Sequence, residues 1–525
     1  MKNMKNMQKE KIKLNIKKEH GKIDWLITLV PLTVIIALCI LFFIFPERSN
    51  NVLGQIRFFF GDTLGIYYLM IGLGIFILSL YIAGSKYGNI VLGEPDEKPK
   101  YAFFTWGSMM FTCGLAADIL FYSFSEWVLY AVDPHIQEMG GIQEWAGVYP
   151  LFHWSFIPWG FYLVLAVAFG FMIHVRKRKH QRYSEACRPV LGKHVDGWVG
   201  RIIDLLAVFA LLAGTATTFS IATPLMAAII GELFQVTVSR TAINIMILVI
   251  TCVIYTYSLL HGFKGISKLA RLCICMFFGL IVFVLLFSGE TQYIVETGFA
   301  SLGTMVQNFI SLATFTDPLR TTSFPQNWTI YYWSYWMVWC VAVPFFIGNI
   351  SRGRTVRQII VGGYMFGVGS TLMSFIVFGN YSMGLQMTGK ADFIGKYMAD
   401  GDLYGMIVGI IKTLPYAPVI MIVVLLTMTA FYATSFDSIA LTASCYCYHE
   451  LQDGKQPDKR IQFMWCILLI LLPIALLFSE SSMNCLQSVS IVAAFPIGIV
   501  IIIIMVSFMK DCNNYVSFDK TSKKK

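Results

Sequence analysis

The segment WLITLVPLTVIIALCILFFIF, residues 25–45, decides the fold class, because it runs for 21 residues without a charged side chain. A helix needs about 20 apolar residues to cross the hydrocarbon core of a bilayer. Outward from this segment, apolar runs recur at 64–83, 160–173, 241–260, 272–287, 359–378, 418–433, 464–477 and 489–506, and more polar ones at 103–124, 202–234 and 330–350. Backbone groups in lipid must bond within their own segment, so such runs predict helices. We therefore predict an all-α integral membrane protein with about twelve transmembrane helices.

The composition agrees with this class. Of the 525 residues, 57% are hydrophobic and only 13% are charged, and the mean hydropathy is +0.66, which is too apolar for a soluble chain of this length. The sequence contains no G-x-x-x-x-G-K-[ST] phosphate loop, no H-E-x-x-H and no G-x-S-x-G. We therefore expect neither an enzyme nor an ATP-driven pump, and no cofactor. Any uphill transport would be coupled to an ion or to a counter-substrate.

Lysine and arginine concentrate in alternate loops. They cluster at 1–23, 86–100, 175–182, 264–271, 351–357, 454–460 and 523–525, whereas 125–149 and 480–485 contain none. Basic loops stay on the cytoplasmic side, so the pattern predicts a multi-pass protein of the cell (inner, cytoplasmic) membrane with both termini in the cytoplasm. The net charge of +10 is spread over short loops, which disfavours a nucleic-acid partner, although the basic tail could contact anionic membrane lipid.

Two aromatic patches lie within apolar runs. FHWSFIPW occupies residues 152–159 and is followed by Tyr162, and WTIYYWSYWMVW occupies residues 328–339. Tryptophan is ordinary at the ends of a membrane helix, where it anchors at the headgroups, but a cluster inside the span is not. Several aromatic faces around one point attract a quaternary ammonium, which has no N–H to donate. The alternatives are packing between helices and interfacial anchoring.

Asp118 follows the small-residue stretch FTCGLAAD, residues 111–118. A carboxyl group in mid-membrane is costly and is usually functional. The glycine and alanines around it predict a discontinuity in the helix over residues 103–124. Glu126 and Asp437 are predicted to be structural, the first because it lies near a helix end.

The chain resembles the betaine/choline/carnitine transporter family along nearly its whole length. The matching stretches are FHWSFIPWGFY at 152–162, RIIDLLAVFALLAGTAT at 201–217, TDPLRTTSFPQNWTIYYWSYW at 316–336, ISRGRTVRQ at 350–358 and ATSFDS at 433–438. The TDP…FPQ-x-WT segment is most similar to the carnitine/γ-butyrobetaine antiporter branch. The resemblance implies two leading helices, a five-plus-five inverted repeat and a homotrimer. It places a substrate cage on Trp154, Trp159, Tyr162, Tyr335, Trp336 and Trp339, with tyrosine at 335 where tryptophan is usual.

These implications divide the chain into six parts. We expect a cytoplasmic basic tail at 1–23, two leading transmembrane helices at 24–100 and the first inverted repeat at 101–290. An external connecting segment at 291–326, the second inverted repeat at 327–509 and a cytoplasmic tail at 510–525 complete the division.

The residues expected to govern coupling depart from the antiporter branch. Cys273 stands where that branch has an arginine, and Val343 stands where it has a methionine. Phe431, Thr434 and Ser435 instead match the sodium site of sodium-coupled members, where hydroxyls and the carbonyls of an opened helix would suit a hard cation. Thr215 and Thr218 could serve a second ion. The alternative for each hydroxyl is a bond to the carbonyl four residues earlier.

The sequence therefore predicts a secondary active transporter of quaternary ammonium compounds of the choline, betaine or carnitine type, through ion-coupled uptake. An ionised Asp118 would favour choline, whereas a protonated Asp118 would serve proton coupling. One alternative is sodium-independent exchange of carnitine or betaine with a precursor or product. A second alternative is a membrane receptor or channel that binds such a ligand.

Overall fold

The computed structural model describes residues 22–522 except 179, 236–237, 262, 449–456 and 480–482. The basic stretch predicted at 1–23 lies almost wholly outside the described residues, as do residues 454–456 of the stretch at 454–460 and the lysines at 523–525. The helices of eight or more residues are α1 Trp25–Ile44, α2 Pro46–Arg57, α3 Ile66–Gly84, α4 Phe103–Thr112, α5 Ala117–Ala131, α6 Phe156–Gly170, α7 Trp198–Phe234, α8 Arg240–His261, α9 Phe263–Phe287, α10 Thr291–Gln307, α11 Ile330–Trp339, α12 Val343–Ile350, α13 Val356–Gly363, α14 Asn380–Met387, α15 Phe393–Asp400, α16 Leu403–Lys412, α17 Ala417–Tyr446, α18 Lys459–Phe478 and α19 Met483–Ser522.

The prediction of an all-α membrane protein is confirmed. Within the described residues, nine helices are long and apolar enough to cross a membrane, and the number becomes twelve if three bent helix pairs each count as one span. The backbone of the same residues forms two isolated β-bridges and no strand. Large apolar side chains on the outward faces of α1 and α3, such as Ile44 and Met70, are exposed, as lipid contact requires.

The predicted discontinuity near Asp118 is confirmed. α4 ends at Thr112 and α5 begins at Ala117, and the two helices are bent by 64° relative to each other. Gly114 lies in the break, where a Cβ atom would lie 2.3 Å from Ser370 Oγ and 2.8 Å from Trp159 Cζ2. The small residues are therefore needed because the opened chain passes directly against two other helical segments.

Two further interruptions lie at the aromatic patches and were not predicted. α11 ends at Trp339 and α12 begins at Val343, with a bend of 56° between them. In the first patch, a short helix, Val148–His153, ends just before α6 begins at Phe156. Trp154 and Ser155 therefore lie between helices, with non-helical backbone angles. Proline near the start of each following helix, Pro158 and Pro344, is compatible with these breaks because its missing N–H falls in the first turn.

Polar contacts tie the ends of the helices together. At the end that carries the basic loops, Arg357 Nε donates to the Ala83 carbonyl at 2.7 Å, and the Arg354 guanidinium lies 4.3 Å from the Trp106 ring centroid. At the opposite end, Arg320 Nε lies 2.9 Å from Asp62 Oδ2. The connection before α11 is thereby anchored to the segment before α3.

Candidate functional site

A cavity of about 830 Å³ opens where the interrupted helices meet. Its inner wall is the opened chain from Thr112 to Ile119, and it extends past Trp336 to Arg182 and Tyr448, at the end of the molecule that carries the basic loops. Predicted site residues on its wall are Asp118, Trp154, Tyr162, Thr218, Tyr335, Trp336, Trp339, Phe431, Thr434 and Ser435. Residues that are far apart in the sequence thus face one space.

Trp336 is the centre of the aromatic cluster. Its ring centroid lies 4.7 Å from that of Tyr162, 5.7 Å from that of Trp154 and 6.0 Å from that of Trp159. The three rings are inclined to it by 56–68°. Aromatic rings gathered around one point of a cavity wall are the kind of surface that attracts a quaternary ammonium.

The six predicted aromatic residues do not form one cage. Trp154, Trp159, Tyr162 and Trp336 are a single cluster, in which Trp159 is fully buried and packs behind the others without lining the cavity. Tyr335 and Trp339 form a separate pair, with ring centroids 6.5 Å apart. Both residues line the same cavity as Trp336.

Tyr335 connects two predicted polar residues. Its hydroxyl donates to Asp118 Oδ2 in a short hydrogen bond, and the Thr218 hydroxyl contacts the same tyrosine oxygen. The other carboxyl oxygen, Asp118 Oδ1, is buried and has no hydrogen-bond partner among the described residues. A tryptophan at 335 could donate one N–H to Asp118 but could not also accept from Thr218, so the tyrosine hydroxyl is what joins Thr218 to Asp118.

Two of the four hydroxyls predicted to hold sodium, those of Thr434 and Thr215, bond within their own helices. Thr434 Oγ1 donates to the Ala430 carbonyl at 2.9 Å, and Thr215 Oγ1 donates to the Leu211 carbonyl. α17 runs unbroken through Phe431 and Ser435, so its own backbone carbonyls there are bonded within the helix. The opened chain at Cys113–Ala116 supplies the irregular backbone instead, and it lines the same cavity.

The two substituted positions of the coupling region both line the cavity. Cys273 and Val343 are on its wall, and Cys273 Sγ lies 3.6 Å from the Thr427 carbonyl. Arg271 is two positions away on α9, and its side chain is exposed and absent from the wall. Sequence alignment and geometry agree that no arginine of α9 enters this space.

Glu126, which we predicted to be structural, lies against the cluster. Its side chain is fully buried, and Oε2 accepts a hydrogen bond from Trp154 Nε1 at 2.8 Å. The spacing of residues 126 and 154 carries no signal of this contact, because it depends on how α5 packs against the break before α6. The only available signal was the cost of placing a carboxyl group in an apolar helix.

Comparison with known proteins gives a match over nearly the whole chain. The sequence model of the family described as "BCCT, betaine/carnitine/choline family transporter" matches residues 26–517.

Individual relatives have similar levels of identity. A protein named "Carnitine transporter" from Acinetobacter baumannii is 27% identical over 81% of this chain and 78% of its own length. The "Glycine betaine transporter OpuD" of Bacillus subtilis is 28% identical over 88% of this chain and 89% of its own. The "High-affinity choline transport protein" of Escherichia coli is 26% identical over 95% of this chain and 73% of its own length. These levels of sequence identity therefore do not distinguish among carnitine, glycine betaine and choline as the substrate.

Proposed function

The chain belongs to the betaine/carnitine/choline family of transporters, and from this premise we propose that it carries quaternary ammonium compounds as a secondary transporter. The observation that supports the proposal best is the position of Trp336, which lies among the rings of Trp154, Trp159 and Tyr162 beside a cavity. A trimethylammonium group held there gains cation–π attraction in a site from which much of the water is excluded. This class of protein has no enzymatic activity, so the substrate is moved unchanged.

Among quaternary ammonium compounds, we propose choline or a close cationic analogue. α5 begins inside the cavity wall, and the N-terminus of an interrupted helix is where a substrate carboxylate would ordinarily bind. Asp118, in the first turn of α5, already supplies a carboxyl group there. An ionised Asp118 repels the carboxylate of betaine or carnitine and attracts a substrate whose net charge is +1.

We further propose that uptake is coupled to sodium. The oxygens that support this are the hydroxyls of Thr434 and Ser435, which face the cavity together with the opened chain at Cys113–Ala116. Hydroxyls and carbonyls are the hard ligands that sodium prefers. Thr215 and Thr218 are the candidates for a second ion, although Thr218 also contacts Tyr335. No arginine takes the place of the ion, because Cys273 occupies that position.

Uptake into proteoliposomes with and without an inward sodium gradient tests the proposal. We expect accumulation of radiolabelled choline that requires the gradient, and the variant Thr434→Ala/Ser435→Ala should need about tenfold more sodium for half-maximal uptake. Thr429→Ala is the matched control, since this hydroxyl bonds its own helix and lies off the cavity.

The alternatives predict different results in the same assay. Uptake that is indifferent to sodium but requires substrate inside the vesicles would establish exchange of carnitine or betaine. Binding without accumulation under any gradient would establish a receptor, and passive equilibration would establish a channel.

The placement of the chain in the cell is also proposed. The basic loops support an inner-membrane protein with both termini in the cytoplasm, so the cavity described here would open to the cytoplasm. The bent pairs α4–α5 and α11–α12 support two repeats, at 101–290 and 327–509, after two leading helices. Assembly as a homotrimer and contact of the basic tail with anionic lipid are what the family resemblance and the charge imply.

A further inference from the structure

Glu126 is a carboxyl group in the interior of a membrane helix, and the transport site described above does not use it directly. Its side chain is fully buried on α5, eight residues beyond Asp118. A rise of about 1.5 Å per residue separates the two positions by roughly 12 Å along the helix. Placing an ionisable group there is costly, and such groups are usually retained for function.

Trp154 is the residue that Glu126 contacts, and its backbone does not fix its ring. It lies between the short helix Val148–His153 and α6, with φ −115° and ψ 16°. The Thr371 hydroxyl donates to the Trp154 carbonyl at 2.6 Å, which holds the main chain. The hydrogen bond from the indole N–H to Glu126 Oε2 is the polar contact that holds the side chain.

The second oxygen of Glu126 is held by a chain of hydrogen bonds. The Tyr130 hydroxyl donates to Glu126 Oε1, and it lies 2.7 Å from His153 Nδ1. Because the tyrosine proton is directed to the carboxylate, His153 Nδ1 must carry a proton and donate to the tyrosine oxygen. His153 Nε2 then accepts from the Thr329 hydroxyl at 3.0 Å.

This chain links both aromatic patches. Thr329 immediately precedes α11, the helix that carries Trp336. The carboxyl group of α5 is therefore fixed relative to both the break that carries Trp154 and the helix that carries Trp336. Hydrogen bonds in such a buried network reinforce one another.

We propose that Glu126 is a positioning residue of the cation site, acting through Trp154. Its Oε2 atom fixes the rotation of the indole so that the Trp154 ring keeps its 5.7 Å distance and 68° inclination to Trp336. The ring also packs against Tyr122, Tyr332 and Phe375, and the hydrogen bond to Glu126 adds a directional contact that fixes its rotation. This inference rests on the proposed function, because it concerns the same site.

Two substitutions separate the position of the acceptor from its charge. Glu126→Gln keeps an oxygen at the same distance and removes the charge, whereas Glu126→Asp keeps the charge and withdraws the oxygen by one methylene. We expect Glu126→Gln to bind choline within about threefold of wild type and Glu126→Asp to bind about tenfold more weakly. The reverse order would overturn the proposal, because it would assign the effect to charge alone.

A double-mutant cycle with Trp154→Phe tests whether the effect passes through the indole. Phenylalanine keeps an aromatic face but has no N–H, so Trp154→Phe should weaken choline binding about tenfold. Glu126→Asp should then cost less than about twofold more when it is added to Trp154→Phe. Additive losses would contradict the proposal. Choline binding by Trp154→Phe with wild-type affinity would also contradict it, and this second test remains valid even if Glu126→Asp does not fold.

The indole N–H resonance gives a readout that needs no ligand. In ¹⁵N-labelled protein it is assigned by its loss in Trp154→Phe, and we expect it to move in Glu126→Asp but to stay near its wild-type position in Glu126→Gln. An unmoved resonance in Glu126→Asp would overturn the positioning role. Failure of wild type to bind choline, betaine or carnitine would instead refute the proposed function, while this resonance would still decide the role of Glu126.

Discussion

At the scale of single residues, the site places one carboxyl group, that of Asp118, on the wall of the cavity that Trp336 also lines. Asp118 Oδ2 accepts from Tyr335, and Oδ1 has no partner in the described part of the chain. The unpartnered oxygen belongs to a residue on the cavity wall. If ionised, Asp118 would discriminate among substrates that share a trimethylammonium group, as proposed above.

Replacing Asp118 by asparagine should remove discrimination between choline and betaine. Two unit charges about 6 Å apart at an effective dielectric of about 20 interact by roughly 3 kcal/mol, which corresponds to a preference of about a hundredfold. Competition binding with wild type and Asp118→Asn measures the ratio of the two affinities. Asp437→Asn, a buried carboxyl group that does not line the cavity, is the control and should leave the ratio unchanged. A wild-type preference for betaine or carnitine at neutral pH would contradict an ionised Asp118 that faces the substrate.

Some residues of this site could be identified from the sequence and others could not. Trp154, Trp336 and Asp118 stand out because tryptophan and aspartate are unusual inside apolar runs. The hydrogen bond between Glu126 and Trp154 could not be foreseen, since it joins residues from two helices whose relative rotation is set by packing.

At the scale of elements, the break between α4 and α5 depends on a residue without a side chain. Gly114→Ala would place a methyl group 2.3 Å from Ser370 Oγ and 2.8 Å from the Trp159 ring. Overpacking of this kind costs about 1–3 kcal/mol, so we expect a lower melting temperature and choline binding weakened by about tenfold. Titration calorimetry and thermal melting of the purified variant measure both.

Gly369, which precedes Ser370 in the sequence, provides the control, because a Cβ atom there would meet no atom of the described residues within 4 Å. Gly369→Ala should bind choline as wild type does. If Gly114→Ala also binds normally, the close approach of the opened chain to Trp159 has no part in forming the site.

The connection before α11 is held by hydrogen bonds from backbone N–H groups to the Asp317 carboxylate. Asp317 and Ser323 have left-handed backbone angles, with φ of 43° and 55°. Burial would raise the pKa of Asp317, but the N–H groups of Thr322, Thr321 and Ser323 donate to its carboxylate and hold the pKa below its usual value. A carboxyl group of this kind stabilises the fold above its unfolded pKa of about 3.9, and the contribution is lost as the pH falls through the lower folded value.

Hydrogen exchange of residues 316–324 tests this account of the connection. Protection factors, corrected for the intrinsic effect of pH, should be constant from pH 8 down to about 5 and should fall only below about pH 4. Asp317→Ala should lose the protection at every pH. A wild-type transition between pH 5 and 7 would assign the control of this segment to another group.

At the scale of the whole molecule, hydropathy and loop charge were sufficient to predict the number of spans, and the small-residue stretch 111–118 was sufficient to predict the first break. The break after Trp339 was not predicted, because the run 330–350 has no small-residue stretch like that at 111–118 and its bend depends on contacts with other spans. α17 is unbroken, and the irregular backbone beside the cavity lies in the α4–α5 break. Local sequence thus specifies which segments cross the membrane more fully than where each one bends.

Recognition of a quaternary ammonium by the aromatic cluster is tested by comparing choline with its uncharged carbon isostere, 3,3-dimethylbutan-1-ol, as ligands of wild type and of Trp336→Leu. Leucine keeps apolar contact but removes the aromatic face, and a cation–π contact in a desolvated site is worth roughly 2 kcal/mol. We therefore expect Trp336→Leu to lose about thirtyfold in affinity for choline and less than about threefold in affinity for the isostere. Trp465→Leu, a fully buried tryptophan of α18 outside the cavity, should leave both affinities unchanged. Equal losses for the two ligands, or unchanged choline affinity in Trp336→Leu, would contradict recognition of a quaternary ammonium by this aromatic cluster.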